Sequence, residues 1–342
     1  MAAAMPDKLT FKVEWLDPAA SLKRYYLLQY YLAPTGNQLE LFDIKNHRVF
    51  LKKCPYPQVE VDDLFIGGKV TIYGRMMTIV DFGDLQTKRA VAPVLARTFG
   101  LIESSGVSST GKIIQAVNRE GLTVAKLKMV DLSASDARRV GANPGYAVGL
   151  EVVGPSAFDK WAEIARAVPG CVGASSSEAG EAAIDTFFNG GLESAKANTA
   201  RVRDCTVCII KPHIVLRKRI GDVLDAVSNC GLMITAMQMF DIDMTASEEF
   251  LEVYKGVMPE FHADAEELAS GRFLVVELCG ENAVNRFRES AGPHDVEMAQ
   301  KIRPDSLRAR FGVSRVKNAV HATDLDEDGE TESEYFFRIL SA

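Results

Sequence analysis

Histidine is scarce in this chain of 342 residues: there are five, His47, His213, His262, His294 and His321. None lies between residues 48 and 212, so chemistry that needs an imidazole there is excluded. Cysteine is sparse too, with six residues (54, 171, 205, 208, 230 and 279) lacking framework spacing, which reads as reduced thiols and not as a disulfide scaffold. The one CxxC, Cys205-Thr-Val-Cys208, opens an apolar run that reads as a strand, where alternation sends the two sulfurs to opposite faces. With no second CxxC or partner histidine nearby, no protein-held metal is expected. Long apolar runs are missing, and the opening Met-Ala-Ala-Ala-Met-Pro-Asp has neither a charged nor an apolar leader segment, so a cytosolic or cytoskeletal location is expected. Basic excess is missing as well. A net charge of -7 argues against nucleic acid and anionic membranes as partners. The charge is uneven: residues 1–90 hold 12 Lys and Arg against 10 Asp and Glu, leaving 27 against 36 elsewhere. An acidic polymer surface would have to hold this chain by shape.

What is present is the make-up of a globular protein of two or three domains, 47% hydrophobic and 25% charged. Residues 7–90 read as strands (11–15, 25–32, 39–44, 48–51, 69–73 and 76–80) separated by Asp17-Pro18, Pro34-Thr-Gly36-Asn37, Asn46-His47, Gly67-Gly68 and Gly74, the turn chemistry of a small antiparallel sheet. Trp15, Phe42, Phe50 and Phe65 are expected in its core. From residue 98 the pattern becomes strand, helix, strand, and it occurs twice. Thr98-Phe-Gly-Leu-Ile-Glu103, Gly111-Lys-Ile-Ile and Gly121-Leu-Thr-Val match Thr206-Val-Cys-Ile-Ile-Lys211, Gly221-Asp-Val-Leu and Gly231-Leu-Met-Ile. This order fits an α+β sandwich on a βαββαβ core. Residues 189–200, small and polar, read as the linker between the repeats.

The offsets between repeats measure a loss. Gly121 and Gly231 differ by 110, Glu151 and Glu277 by 126, and Phe187 and Phe336 by 149, so about sixteen and then about twenty-three residues are absent from the first repeat. The missing stretches correspond to a short helix pair and to the region from Arg288 to Asp324. One decoy lies here: Gly106-Val-Ser-Ser-Thr-Gly111-Lys112 satisfies GxxxxGK. Ile113 stands where a phosphate loop needs Ser or Thr, and the repeat explains Gly111 through Gly221.

The second repeat ends in Arg303-Pro304, Arg308, Asn318-Ala-Val-His321-Ala-Thr-Asp324 and an acidic helix with Glu332. With Ile209-Ile-Lys211-Pro212 at its start, it resembles the nucleoside diphosphate kinase family, whose motif is Asn-x-x-His-Gly-Ser-Asp. The N-terminal Glu14-Trp15-x-Asp17-Pro18, Asp43-x-Lys45-Asn46-His47-Arg48 and Asp63-Leu-Phe-Ile-Gly67 resemble the doublet-microtubule (DM-ten) module. The resemblance implies an all-β, PH-like module over 1–92, a truncated and degenerate ferredoxin-like kinase domain over 96–190, and a fuller one over 202–342.

For the second domain it implies His321 as phosphoryl-accepting nucleophile, with Lys211, Arg288, His294 and Arg308 at the phosphates. Asn318 with Lys211 would position the ribose, and Glu332, backed by Thr323, would orient His321. Mg²⁺ would arrive with ATP or another nucleoside triphosphate, held chiefly by its phosphates. Four positions depart from the family pattern. Glu260 stands where an aromatic stacks on the base; Glu252 aligns with a tyrosine, Tyr254 being two positions on; His294 replaces a threonine; and Ala322 replaces the motif glycine. Losing one base stack removes about 1–3 kcal/mol of nucleotide affinity. In the first repeat, Glu103 replaces Lys211 and would repel phosphate. The resemblance as a whole implies a structural protein of the ciliary or flagellar axoneme, inside doublet microtubules, with tubulin and lumenal proteins as partners. The alternative is a nucleoside diphosphate kinase working through His321 by ping-pong transfer.

Overall fold

Alternating side chains build the first sheet. In β1 (Lys8–Asp17), Leu9, Phe11 and Val13 point inward while Lys8 and Lys12 face solvent; in β2 (Leu22–Tyr31), Tyr26, Leu28 and Tyr30 do the same. With β3 (Gln38–Asp43), β4 (Arg48–Pro55), β5 (Lys69–Ile72) and β6 (Arg75–Phe82) they form an antiparallel six-stranded sheet in the order β4-β3-β2-β1-β6-β5. The computed structural model describes residues 5–17, 20–34 and 36–341; the turn residues Pro18 and Thr35, and the leader reading of residues 1–4, lie outside the described residues. All six expected strands are present. Of the four aromatics expected in the core, only Phe65 is fully buried: Phe50 is 39% exposed, and Trp15 and Phe42 are half-buried. Trp15 and Phe50 lie where the curled sheet opens, and there the core ends. The module closes with a helix, α1 (Leu85–Val91), that strand patterning did not anticipate, capped by Asp84 accepting from Thr87 N.

The two repeats share one sheet. The first supplies β7 (Ala96–Glu103), β8 (Thr123–Leu132), β9 (Gly145–Gly154) and β10 (Cys171–Gly173); the second supplies β11 (Cys205–Ile210), β12 (Met233–Phe240), β13 (Phe273–Cys279) and β14 (Val320–Ala322). The order is β10-β7-β9-β8-β12-β13-β11-β14. Read outward from the β8–β12 junction, the two halves are the same ferredoxin-like sequence of strands, so the repeats meet edge to edge within one chain. The inner edge strands β8 and β12 thereby cover each other, and β10 and β14 remain the outer edges.

Helices cover this sheet. The first repeat has α2 (Thr110–Arg119), α3 (Ala134–Val140), α4 (Ala157–Ala167), α5 (Ser177–Phe188) and α6 (Glu193–Lys196). The second has α7 (Pro212–Leu216), α8 (Ile220–Ser228), α9 (Met244–Phe250), α10 (Phe261–Leu268), α11 (Ala283–Ala291), α12 (Val296–Ile302), α13 (Leu307–Phe311) and α14 (Asp328–Glu334). Helices α2 and α8 pack against each other across the repeat junction, where Asn118 Nδ2 donates to Lys218 O at 2.7 Å. Glycine is required there: a Cβ on Gly111 would lie 2.4 Å from Asp225 N, and one on Gly221 would lie 2.7 Å from Gln115 N. The GxxxxGK glycine is thus a helix-crossing residue. Where the second repeat has α9 and α10, the first keeps the single short helix α3.

The segment between the repeats is not a free linker. Leu192 is fully buried, Lys128 Nζ donates to Ala195 O at 2.6 Å, and Asn198 Nδ2 donates to Phe337 O. The β module is also tied down. Ala125 and Val153 of the first repeat join its core, Arg272 Nη2 of the second meets Asp63 at 3.2 Å, and Lys218 Nζ meets Asp62 at 2.5 Å. Among the described residues no helix is long and apolar enough to cross a membrane.

Candidate nucleotide site

His321 sits in β14, paired with Ile209 of β11, at the outer edge of the long sheet. Ala319, two residues before it, holds φ +74°, an uncommon conformation for a residue with a Cβ. Its carbonyl accepts from Lys211 N at 3.0 Å, which ties the loop before His321 to the end of β11. Helix α14 then crosses β11 so closely that a Cβ on Gly329 would lie 2.1 Å from Cys205 O. That approach brings Glu332 behind the imidazole: its Oε2 lies 3.0 Å from His321 Nε2 and accepts from Thr323 Oγ1 at 2.8 Å. Thr323 Oγ1 in turn accepts from Val207 N at 3.0 Å, so the relay is anchored in β11. A carboxylate on Nε2 fixes the proton there and leaves the lone pair on Nδ1.

His321 opens onto a cavity of about 550 Å³, also lined by Lys211, Arg288, His294, Arg308 and Asn318. All six residues that the sequence assigned to nucleophile, phosphate and ribose contacts therefore surround one space, with Thr323 and Glu332 behind the histidine. Arg308 is held by Gly292 O at 2.8 Å and Val320 O at 3.2 Å. Burial, opposed by Asp324 and reinforced by Arg288, brings its guanidinium down to about 10, still cationic at neutral pH. Arg288 pairs with Asp324 at 2.7 Å. His294 is pushed down by burial, with Arg308 and Lys211 adding to the effect, so it is neutral at pH 7. Asn318 Nδ2 donates weakly to His294 O at 3.4 Å.

Several contributors were invisible in the sequence. Asp264 of α10 holds Lys211 Nζ at 2.9 Å, and Val316 O holds it at 2.8 Å. Burial pushes the Lys211 ammonium down and the Asp264 charge opposes this, so the lysine is oriented by a buried ion pair. Phe250 packs edge-on against the His321 ring at 5.3 Å between centroids, and the Tyr254 ring lies 6.3 Å away, also edge-on. Tyr254 lines the cavity, in spite of being two positions out of register with the family tyrosine. Glu260, in the base-stacking position, instead accepts from Arg315 Nη1 at 3.3 Å, while Arg315 Nη2 meets Asp295 at 2.7 Å. His213, next to Pro212, points away from this site, bonded to Glu267 at 2.7 Å.

The first repeat has no equivalent. By the repeat match Leu101 corresponds to Ile209, and Leu101 pairs with Val172 as Ile209 pairs with His321. Valine thus occupies the histidine's place. Glu103, at the Lys211 position, is bonded to Asn143 N at 2.8 Å.

A ferredoxin-like sheet presents on its edge strand an imidazole backed by a carboxylate, facing a cavity lined by Lys211, Arg288 and Arg308. The chain belongs to the nucleoside diphosphate kinase family. The family profile described as nucleoside diphosphate kinase matches residues 204–340. Along nearly its whole length the chain is similar to nucleoside diphosphate kinase homolog 7 of Rattus norvegicus, 37% identical over 98% of this chain and 94% of that protein. The Mus musculus homolog 7 is 36% identical with the same coverage. A crystal structure of the Aquifex aeolicus nucleoside diphosphate kinase is similar to 40% of this chain over 97% of its own length, with 36% identity and a TM-score of 0.38.

Proposed function

We propose that the second repeat binds a nucleoside triphosphate and passes its terminal phosphoryl group through His321 to a nucleoside diphosphate. The observation that carries this is the Glu332–His321 contact, which leaves Nδ1 as the unprotonated nitrogen. Nδ1 attacks the γ-phosphorus, the bond to the β–γ bridging oxygen breaks, and the diphosphate departs with that electron pair. The second half-reaction reverses these steps onto another diphosphate. Lys211, Arg288 and Arg308 stabilise charge spread over the transferring oxygens, which is the main catalytic demand of this chemistry. Asp324, beside Arg288 in the cavity, offers a carboxylate to a Mg²⁺ that would arrive with the phosphates. Such an ion would neutralise phosphate charge. Full-length chain incubated with γ-labelled ATP is expected to carry acid-labile label that His321→Ala does not. No label on the wild type under saturating nucleotide would end this reading.

A second role is favoured by a separate observation: the first repeat keeps its buried core and its share of the sheet but none of the site. It serves as packing. Together with the DM-ten resemblance of the N-terminal module, this supports a structural component of ciliary doublet microtubules, with tubulin and lumenal proteins as neighbours. Retention with the doublets when isolated cilia are extracted with detergent and mild salt is the expected result. Release into the extract would overturn it.

A further inference from the structure

The six-stranded sheet ends at β4 on one side and β5 on the other, and these two edges are not hydrogen-bonded to each other. Between them lies a cleft of about 320 Å³ lined by Leu41, Phe50, Leu51, Ile72, Tyr73 and Arg75. One end is closed by Tyr56, whose hydroxyl donates to Thr71 O at 3.0 Å and accepts from Tyr73 N at 3.2 Å. At the other end the Arg75 guanidinium lies over two rings, 5.2 Å from Trp15 and 5.4 Å from Phe50. Its Nη1 reaches Tyr73 O only at 3.4 Å, and its buried Nε has no hydrogen-bond partner. A half-buried guanidinium beside two aromatic rings, whose Nη1 makes only one long hydrogen bond, at 3.4 Å to Tyr73 O, keeps donor capacity for a carboxylate.

The flanking strand has matching properties. Residues 44–59 contain Lys45, Arg48, Lys52 and Lys53 and no acidic residue, in a chain whose net charge is -7. All four are exposed, as are Val49 at 47% and Phe50 at 39%. The nearby carboxylates are already engaged: Asp17 with Arg24 at 2.8 Å, and Asp43 with Asn46 Nδ2 at 2.7 Å. An edge strand also presents unpaired backbone groups, here interrupted by two register shifts against β3, and lysines on such an edge repel basic strands and attract acidic ones.

We propose that the β4 edge and the Arg75 cleft form a docking surface for an extended acidic segment of a partner protein, which adds a strand to β4 and places a carboxylate on Arg75. Main-chain pairing would supply affinity, and Arg48, Lys52, Lys53 and Arg75 would supply selectivity for acidic side chains. Alternate apolar residues of the segment would cover Val49 and Phe50.

The test uses the full chain and three synthetic peptides of about ten residues. These are one alternating glutamate and valine, one alternating lysine and valine, and the glutamate peptide N-methylated at every second backbone nitrogen. The glutamate peptide is expected to bind and to perturb Trp15 fluorescence. Lys52→Glu with Lys53→Glu, both exposed although the Lys53 ammonium lies 3.7 Å over the Tyr31 ring, is expected to weaken it about 10-fold or more with the urea midpoint as a folding control, as is Arg75→Gln. The N-methylated peptide is expected not to bind, because it cannot complete the ladder. Equal binding of the lysine peptide, undiminished binding of the N-methylated one, or no binding of the glutamate peptide would each overturn the proposal. The lysine pair decides the matter if Arg75→Gln unfolds.

Discussion

Glu332 Oε2 lies 3.0 Å from His321 Nε2 and receives the Thr323 hydroxyl at 2.8 Å, so one carboxylate oxygen joins the histidine to the backbone of β11. Removing a group that orients a functional histidine costs on the order of 10- to 100-fold in activity. Glu332→Gln, which keeps shape and loses charge, is expected to slow single-turnover phosphorylation of His321 toward the lower end of that range, and Glu332→Ala toward the upper. Thr323→Val is expected to be milder. An unchanged rate in Glu332→Ala would mean that packing against Phe250 alone positions the ring.

The crossing of α2 and α8 gives a stability prediction. A Cβ on Gly111 meets backbone, 2.4 Å from Asp225 N, which no side-chain rotation relieves. Overpacking of this kind costs about 1–3 kcal/mol. Gly111→Ala is expected to lower the urea midpoint accordingly. Gly271→Ala, where a Cβ meets nothing within 4 Å, is expected to change stability by less than about 0.5 kcal/mol. Equal effects would show that the repeats do not meet through these helices.

Arg272 joins the β module to the second repeat, with a side chain 9% exposed and its Nη2 3.2 Å from Asp63. Burial already pushes the Asp63 carboxyl up, against the pull of Arg272. Arg272→Ala leaves a half-buried carboxylate without its cation but still accepting from Glu60 N at 3.0 Å, so the cost is expected to stay below the about 3–5 kcal/mol of a fully buried pair. Thermal unfolding is expected to show the loss, and Asp63→Asn in the same chain to restore part of it. Additive losses in the double variant would show that the two residues act independently.

The parts legible in the sequence were those carried by local pattern. Strand alternation over residues 8–82 and the match of Thr98–Glu103 to Thr206–Lys211 placed the strands, and the Asn318-x-x-His321 motif placed the histidine that lines the cavity. What stayed hidden depended on distant chain segments. Whether Phe50 or Phe65 enters the core is decided by where the sheet opens, not by either residue's hydrophobicity. Asp264 gave no signal because it meets Lys211 only when α10 folds over β11, 53 residues later. The edge-to-edge meeting of β8 and β12 is likewise long-range, and the packing reason for Gly111, which the repeat had matched to Gly221, appears only where α2 crosses α8.

His294 supplies a pH dependence. Its folded-state pKa lies below the ordinary histidine value, chiefly through burial and then through Arg308 and Lys211. The unfolded chain therefore takes up the proton first as pH falls below about 6.5, and stability present above that value is lost on acidification. Urea midpoints measured at about pH 7.5 and pH 5.5 are expected to fall more for the wild type than for His294→Asn. Bound phosphate, by favouring the protonated ring, is expected to reduce the wild-type loss. Parallel losses in the two proteins would assign the acid sensitivity to other groups.

The first repeat offers the sharpest test of what makes the second a site. Val172 pairs with Leu101 as His321 pairs with Ile209, so Val172→His places an imidazole in the equivalent register position. Nothing there orients it or binds phosphate: Glu103, bonded to Asn143, stands in the lysine position and repels an anionic donor. The Val172→His, His321→Ala chain is therefore expected to take up no label from γ-labelled ATP, and adding Glu103→Lys is expected not to rescue it, because the arginines that spread the transferring charge have no counterpart. Label on the doubly substituted chain would show that an edge-strand histidine is sufficient on this sheet, and that Arg288, Arg308 and Glu332 only refine it.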